Sequence, residues 1–534
     1  MSGTATPLRT AEEVDTPRRS RRDAAPVDAL VALILGTVAA AVRWFVPPDG
    51  LWHDDAWQAL GAWKGSFTGF MTVGQTQPGF TAGLMVWTRL FGMSTASLVT
   101  PALIAGTLGP PALYLGLRRF GFARSVAFLV GAALSSAQIH IVYSYHVKTY
   151  PFDVLIVLGL ALAVWYLAPR HWQWSTAVAW FGGSVVVGSF SSIALIATTV
   201  AGLILVVHSN DDRKRRATAV AAQLVLLLTE LAAFSRTYNR EALSDYFQQR
   251  GGNVDFNLNP VTFGKDVFDH FWNVADVFPG GIPTLALALA GAGLLVAAWR
   301  GPLAVPARFL GLMVVVAVGG SLVDVIPLGP PREFGRVSLW LVPVTALGMC
   351  AALDLARRRV AARTTLCAGF DAIAWVGAVL ILISSFGNGH PYPAGARSAV
   401  REGMAESGRD DGVVVTKYAR YIFALYSGTS IGLEPTPDLS IGFRPTFADP
   451  RVLPHGDTTT PGQFDEFAEG VDRVHLVHAP AGSGQGEYLF KLDLELALRG
   501  FTLVSRRTIE TGYVELWDRQ AAESSAGATV GSQT

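Results

Sequence analysis

Apolar residues run along this chain in blocks too long for ordinary core helices, separated by short polar connections. Crossing a bilayer takes about 20 apolar residues per helix. Stretches of that kind lie near residues 27–46, 96–117, 123–142, 150–168, 176–190, 191–208, 217–235, 282–299, 304–326, 336–355 and 366–386, and they predict about eleven transmembrane helices. The pair over 176–208 must form a tight hairpin of two short helices around Gly188 and Ser189. Two shorter segments carry a helical period without spanning length. In "PGFTAGLMVWTRLFG" the bulky residues Phe80, Leu84, Trp87 and Phe91 share a face. In "TFGKDVFDHFWNVADVF" Phe263, Val267, Phe271, Val274 and Phe278 do so, with Lys265, Asp266, Asp269, His270 and Asp276 off that face. Both predict amphipathic helices lying in a membrane interface.

After about Gly387 the pattern changes. "DGVVVTKYARYIFALYSG" predicts a buried strand and then a helix, "DRVHLVHAP" a strand, "EYLFKLDLELALRGF" an amphipathic helix and "GYVELWD" a last strand. Strand and helix alternation of this sort builds a small α/β domain. The chain therefore divides into a disordered basic N-terminus (1–26), a transmembrane domain (27–386), an α/β domain (387–519) and a disordered tail (520–534).

Composition agrees with this division. Of 534 residues 51% are hydrophobic and only 16% charged, below the quarter or so expected of a soluble domain. The fold class is a polytopic α-helical membrane protein with a small C-terminal α/β domain. A net charge of +1 gives no reason to expect nucleic acid as a partner. The two cysteines, Cys350 and Cys367, both sit in apolar segments, which argues against a disulfide framework or a cysteine metal site.

The charges matter through their order. Basic residues cluster in alternate connections: the N-terminus, Arg118, Arg119 and Arg124, Arg170, the run Arg213 to Arg216, Arg300 and Arg308, and Arg357 to Arg359 with Arg363. By the positive-inside rule these are cytoplasmic. Loops 47–95 and 236–281, the links 143–149 and 327–335 and the α/β domain then lie outside the cytoplasmic (inner) membrane.

That outer face collects the polar groups able to do chemistry. "LWHDDAWQAL" holds His53, Asp54 and Asp55; "YSYHVKTYPFDVL" holds Lys148, Tyr150 and Asp153; "PLGPPREFGRVSLWLVP" holds Arg332, Glu333 and Arg336. A carboxylate can deprotonate an attacking hydroxyl, and fixed cations can stabilise a departing phosphate. An Asp capping the helix that begins "AWQALGAWK" accounts for only one of two adjacent carboxylates. Lys148 read plainly is a flanking residue reaching for headgroups. Glu230, inside the apolar "LLLTELAAF", is a secondary candidate because a carboxylate at that depth is costly; Asp324 has the same status.

The acidic pair, then "QTQPGFTAGLMVWTRLFGMS" and "LYLGLRRFGFARSVAFLVGAAL", resemble the N-terminal module of GT-C superfamily glycosyltransferases, which include protein O-mannosyltransferases and lipid A aminoarabinose transferases. The resemblance covers roughly residues 27–210. It implies inverting transfer of a sugar from a polyprenyl-phosphate donor to an acceptor hydroxyl of a glycan, lipid or protein. It places the base at Asp54, with Asp55 beside it, and the donor phosphate at Lys148 and Arg336, with Tyr150 and Arg332 close by. No cofactor is implied with certainty, and a divalent metal stays open. A lipid-linked sugar flippase, or a non-catalytic cell-envelope scaffold, is the alternative; a flippase would line a path through the bilayer centre, whereas these polar groups gather at helix ends.

Overall fold

The computed structural model describes residues 16–45, 48–64, 77–170, 173–208, 213–237, 251–275, 283–299, 301–324, 326–329, 336–360, 364–387, 395–436, 443–456, 459–479, 486–509 and 512–519. The first part of the chain is helical throughout: α1 (Thr16–Trp44), α2 (His53–Lys64), α3 (Pro78–Phe91), α4 (Thr95–Arg119), α5 (Arg124–Ser136), α6 (Gln138–Tyr143), α7 (Tyr150–Leu167), α8 (Trp174–Gly188), α9 (Ser192–His208), α10 (Arg213–Thr237), α11 (Pro260–Ala275), α12 (Pro283–Trp299), α13 (Ala304–Leu322), α14 (Val342–Val360) and α15 (Thr364–Ser384). Each predicted span coincides with a helix, but the lengths differ from expectation. Among the described residues six helices are long and apolar enough to cross a membrane: α1, α4, α7, α13, α14 with the turn before it, and α15. Helices α5, α9 and α12 are apolar but shorter. The stretch 123–142 is not one helix, because Ala137 adopts an extended conformation between α5 and α6. The first helix also begins at Thr16, well ahead of the apolar run, and carries Pro26 inside it.

Large apolar side chains stay exposed on the helix faces, among them Leu33, Val186, Leu295, Val315, Ile373 and Leu380. Helices apolar on both their buried and exposed sides are suited to a lipid surround. Inside the bundle small residues permit close crossings: a Cβ on Gly293 would meet the Gly348 carbonyl oxygen, and one on Gly348 the Ala290 carbonyl oxygen. That is how α12 and α14 approach so closely.

Several arginines of the helix connections pair with acidic residues of the helices. Arg118 and Arg124 both hold Asp28, at 3.1 and 2.8 Å, and Arg357 holds Asp371 at 2.7 Å. The predicted hairpin is present, with α8 ending at Gly188 and α9 starting at Ser192. The two segments expected to be interfacial helices are helical, as α3 and α11. On α11, Phe263, Val267 and Phe271 pack on the core as expected, but His270 is not a solvent-side residue: it is buried, its Nδ1 lying 2.7 Å from the Gly329 carbonyl oxygen. The Val274 side chain and the whole of Phe278 fall outside what is described.

The C-terminal domain opens with α16 (Ala396–Glu406) and contains β1 (Gly412–Val415), α17 (Arg420–Tyr426), β2 (Ile431–Pro435), β3 (Phe443–Phe447), β4 (Val452–Pro454), α18 (Pro461–Glu469), β5 (Arg473–His478), α19 (Gly486–Leu498), β6 (Thr502–Ile509) and β7 (Gly512–Asp518). Its main sheet has the order β4-β1-β5-β7-β6, parallel across β4, β1 and β5 and antiparallel beyond; β2 and β3 form a separate antiparallel pair. One apolar cluster runs from Leu51, Leu60, Phe80 and Leu84 into Tyr421, Phe423 and Phe443, so this domain shares its core with α2 and α3. Tyr426 and Thr95 hydroxyls meet at 2.8 Å, and Ser398 donates to Asp49 at 2.5 Å, which secures the docking.

Candidate active site

Helix α2 begins at His53, so Asp54 and Asp55 both sit in its first turn rather than one of them capping it from outside. Two consecutive helical residues point about 100° apart, and here that separates their fates. Asp55 turns into the protein and has no solvent exposure. Its Oδ1 accepts the Val147 backbone N–H at 2.9 Å and its Oδ2 lies 2.8 Å from His146 Nδ1. Asp54 remains partly exposed at the rim. His53 donates through Nδ1 to the Tyr418 carbonyl at 2.7 Å and sits edge-on to the Tyr421 ring. Burial pushes the His53 imidazole below its ordinary pKa; Asp54 opposes this, while Arg420 and Lys148 add to it.

The segment that Asp55 grips carries Lys148. It is a buried lysine, not one reaching outward to headgroups, and its ammonium lies 3.9 Å over the Trp57 ring, one turn along α2 from Asp54. The same segment is clamped from below by Arg43, which is fully buried. Arg43 donates to Ser144 Oγ at 3.2 Å and to the Ala39 carbonyl at 3.1 Å, meets His140 Nδ1 at 2.9 Å, and accepts the Tyr145 hydroxyl on its own carbonyl. Sequence reasoning passed over Arg43 because an arginine ending a span reads as a flanking charge; its burial is visible only in three dimensions.

The other candidates distribute as follows. Tyr150 starts α7 and packs against Tyr143. Asp153 is buried a turn further in, accepting Ser191 Oγ at 2.5 Å and Thr149 Oγ1 at 3.5 Å. The Ser191 bond ties α7 to the α8–α9 hairpin, a structural use. Arg336 opens a short 3₁₀ turn (Arg336–Leu341) that packs on α6 and α7, the helices flanking the link that carries Lys148; its side chain and the whole of Arg332 and Glu333 lie outside the described residues, as does the Glu230 side chain. Asp324 receives Asn253 Nδ2 at 2.8 Å, away from α2. Among the described residues no three of His, Cys, Asp and Glu converge as a metal site.

Helix α3 completes the wall. Gln58 donates to Thr81 Oγ1 at 2.9 Å, the Gly79 amide bonds the Ser189 carbonyl, and Phe80, Phe152 and Phe190 meet edge to face. Beyond the 3₁₀ turn an apolar cleft of about 300 Å³ opens between α11, α12 and α14, lined by Val267, Phe271, Leu294, Leu341 and Val344 among others.

No protein-family model matches the chain, and no curated protein matches it. Solved structures do. The crystal structure of ArnT from Cupriavidus metallidurans bound to undecaprenyl phosphate aligns over 92% of this chain and 97% of its own, with a TM-score of 0.51 at 16% identity. The apo structure of the same protein aligns over 93% and 98%, with a TM-score of 0.52 at 16% identity. At that identity the likeness is one of fold, and it extends over more than nine tenths of the chain: this chain has the architecture of the ArnT structures.

Proposed function

We propose that the protein transfers a sugar from a polyprenyl-phosphate donor to an acceptor hydroxyl at the outer face of the cytoplasmic membrane, with Asp54 as general base. The observation that carries this reading is the division of labour within the acidic pair. Asp55 has both oxygens committed to the segment 146–147, so it serves as a positioning residue; Asp54 stands partly exposed on the same turn, with Lys148 held over Trp57 beside it.

Asp54 takes the proton of the acceptor hydroxyl as its oxygen bonds to the anomeric carbon. The bond from that carbon to the phosphate oxygen breaks on the opposite face, and polyprenyl phosphate departs with inverted configuration at the sugar. Lys148, with Arg336 on the neighbouring turn, stabilises the phosphate charge that develops. The apolar cleft starting at Leu341 suits the isoprenoid tail. The presence of undecaprenyl phosphate in a structure of the same fold supports this donor class. The arginine-rich connections then face the cytoplasm, with the C-terminal domain outside.

The test is transfer of label from a polyprenyl-phosphate sugar in proteoliposomes, with and without divalent cation and chelator. Asp54→Asn is expected to lose transfer by about two orders of magnitude or more while binding polyprenyl phosphate normally. Full transfer by Asp54→Asn at wild-type protein levels would overturn the assignment.

A further inference from the structure

The three parallel strands β4, β1 and β5 end along one edge of the sheet, the edge at which open α/β sheets usually bind ligands. Here the edge is aimed at α2. Leaving β1, the chain runs Thr416, Lys417, Tyr418, Ala419, Arg420, and the Tyr418 carbonyl is the group that accepts from His53. Leaving β4 it runs His455, Gly456. The two loops are knitted by Tyr488 of α19, whose hydroxyl accepts the Lys417 amide at 3.1 Å and lies 2.9 Å from His455 Nδ1.

Two cations line this edge. The Lys417 ammonium lies 5.0 and 5.2 Å from the Tyr488 and Tyr418 rings, and the Arg420 guanidinium 5.0 Å from the Tyr421 ring. Arg420 Nε is buried, and among the described residues nothing accepts its hydrogen and no carboxylate pairs with the side chain. Nearby Glu495 is engaged by His455 at 3.5 Å and Arg499 at 4.0 Å. A buried guanidinium N–H without an acceptor is costly, and a ligand that supplies one removes the cost. A Cβ on Gly456 would lie 3.4 Å from Lys417 Cβ and 3.9 Å from Arg420 Nη1, so a larger side chain there would crowd both residues.

We infer that Lys417 and Arg420 form an anion subsite, supplied by the C-terminal domain, that seats a phosphate or carboxylate carried by the acceptor and so orients its hydroxyl towards Asp54. The inference rests on the proposed reading of Asp54 as base and Lys148 as donor-phosphate ligand. The acceptor is chosen over the donor because Lys148 and the apolar cleft belong to membrane helices, whereas Lys417 and Arg420 belong to the domain beyond them. Both Arg420 and Lys148 act on the His53 imidazole, so both cations lie near the acidic turn. Such a site makes the acceptor an anionic one and gives the C-terminal domain a part in selecting it.

The probe is inorganic pyrophosphate, titrated calorimetrically into the full chain in nanodiscs already saturated with polyprenyl phosphate, so that the donor site is filled. Wild type is expected to bind it. Arg420→Gln should weaken binding about tenfold or more, as expected for loss of a charge-assisted contact, Arg420→Lys should retain part of it, and Gly456→Leu should block it with both cations still present. Unchanged pyrophosphate binding in Arg420→Gln and Gly456→Leu overturns the inference. So does loss of polyprenyl phosphate binding in Arg420→Gln, since that assigns the guanidinium to the donor. Undiminished polyprenyl phosphate binding by Lys148→Gln, by contrast, sinks the donor reading while leaving the pyrophosphate arm to stand or fall separately.

Discussion

Asp55 and His146 face each other at 2.8 Å in the interior, and the next residue, Val147, gives its amide to the same carboxylate. Through this pair the first turn of α2 dictates where the segment carrying Lys148 sits. The first turn of α2 and the segment carrying Lys148 are thereby made into one unit.

The two aspartates should consequently fail in different ways. Asp55→Asn puts an amide nitrogen where one of two buried, hydrogen-bonded carboxylate oxygens stood, and leaving a buried polar group unsatisfied costs about 1–3 kcal/mol. Thermal unfolding in detergent is expected to show a clear drop for Asp55→Asn and little change for Asp54→Asn, whose defect is confined to turnover. Equal melting of the two variants would contradict the separation.

The Trp57 ring should matter for donor affinity. Removing it takes away a cation–π contact worth about 1 kcal/mol, so Trp57→Leu is expected to raise the donor KM about fivefold with kcat nearly unchanged. A fall in kcat at constant KM would show that the ring acts on the reaction instead.

Stability should fall in mild acid because of His53. Its pKa in the folded chain lies below the ordinary histidine value, so at intermediate pH the unfolded chain binds more protons than the folded one. The His53 contribution is complete above about pH 6.5, declines as pH drops through that value, and stops declining below the folded pKa. Melting curves of wild type and His53→Gln between pH 7.5 and 5 should converge as the pH falls.

The α12–α14 crossing should tolerate no side chain at Gly348. An added Cβ would come 2.1 Å from the Ala290 carbonyl oxygen, a backbone atom that cannot swing aside. Gly348→Ala is expected to cost about 2 kcal/mol or more, read as a smaller monodisperse fraction on size exclusion. Gly369→Ala, where nothing lies within 4 Å, is the control and should behave as wild type.

Much of this architecture was legible before any coordinates. Spans, the Gly188 hairpin, both amphipathic helices and five elements of the α/β domain follow from local hydrophobic period, which each segment carries within itself. The short strands β2, β3 and β4, the strand β6 and helices α16 and α18 escaped notice. Three to five residues are too few to display a period, and β6 is largely exposed. The break at Ala137 was hidden inside an apolar run for the same reason.

By itself the sequence determined that the chain is membrane-embedded, that basic residues cluster in alternate connections between its apolar runs, and that acidic and basic residues sit together in a few polar segments. All of these are sums over local composition. It did not distinguish Asp54 from Asp55, which are chemically identical neighbours; the rotation of α2 against the segment 144–149 made one a buried strut and left the other at the rim. Nor did it bring Tyr418 and Arg420 to His53, because that contact joins the two ends of the chain through an apolar core shared between domains. Long-range packing, not local pattern, made these scattered polar residues into one site.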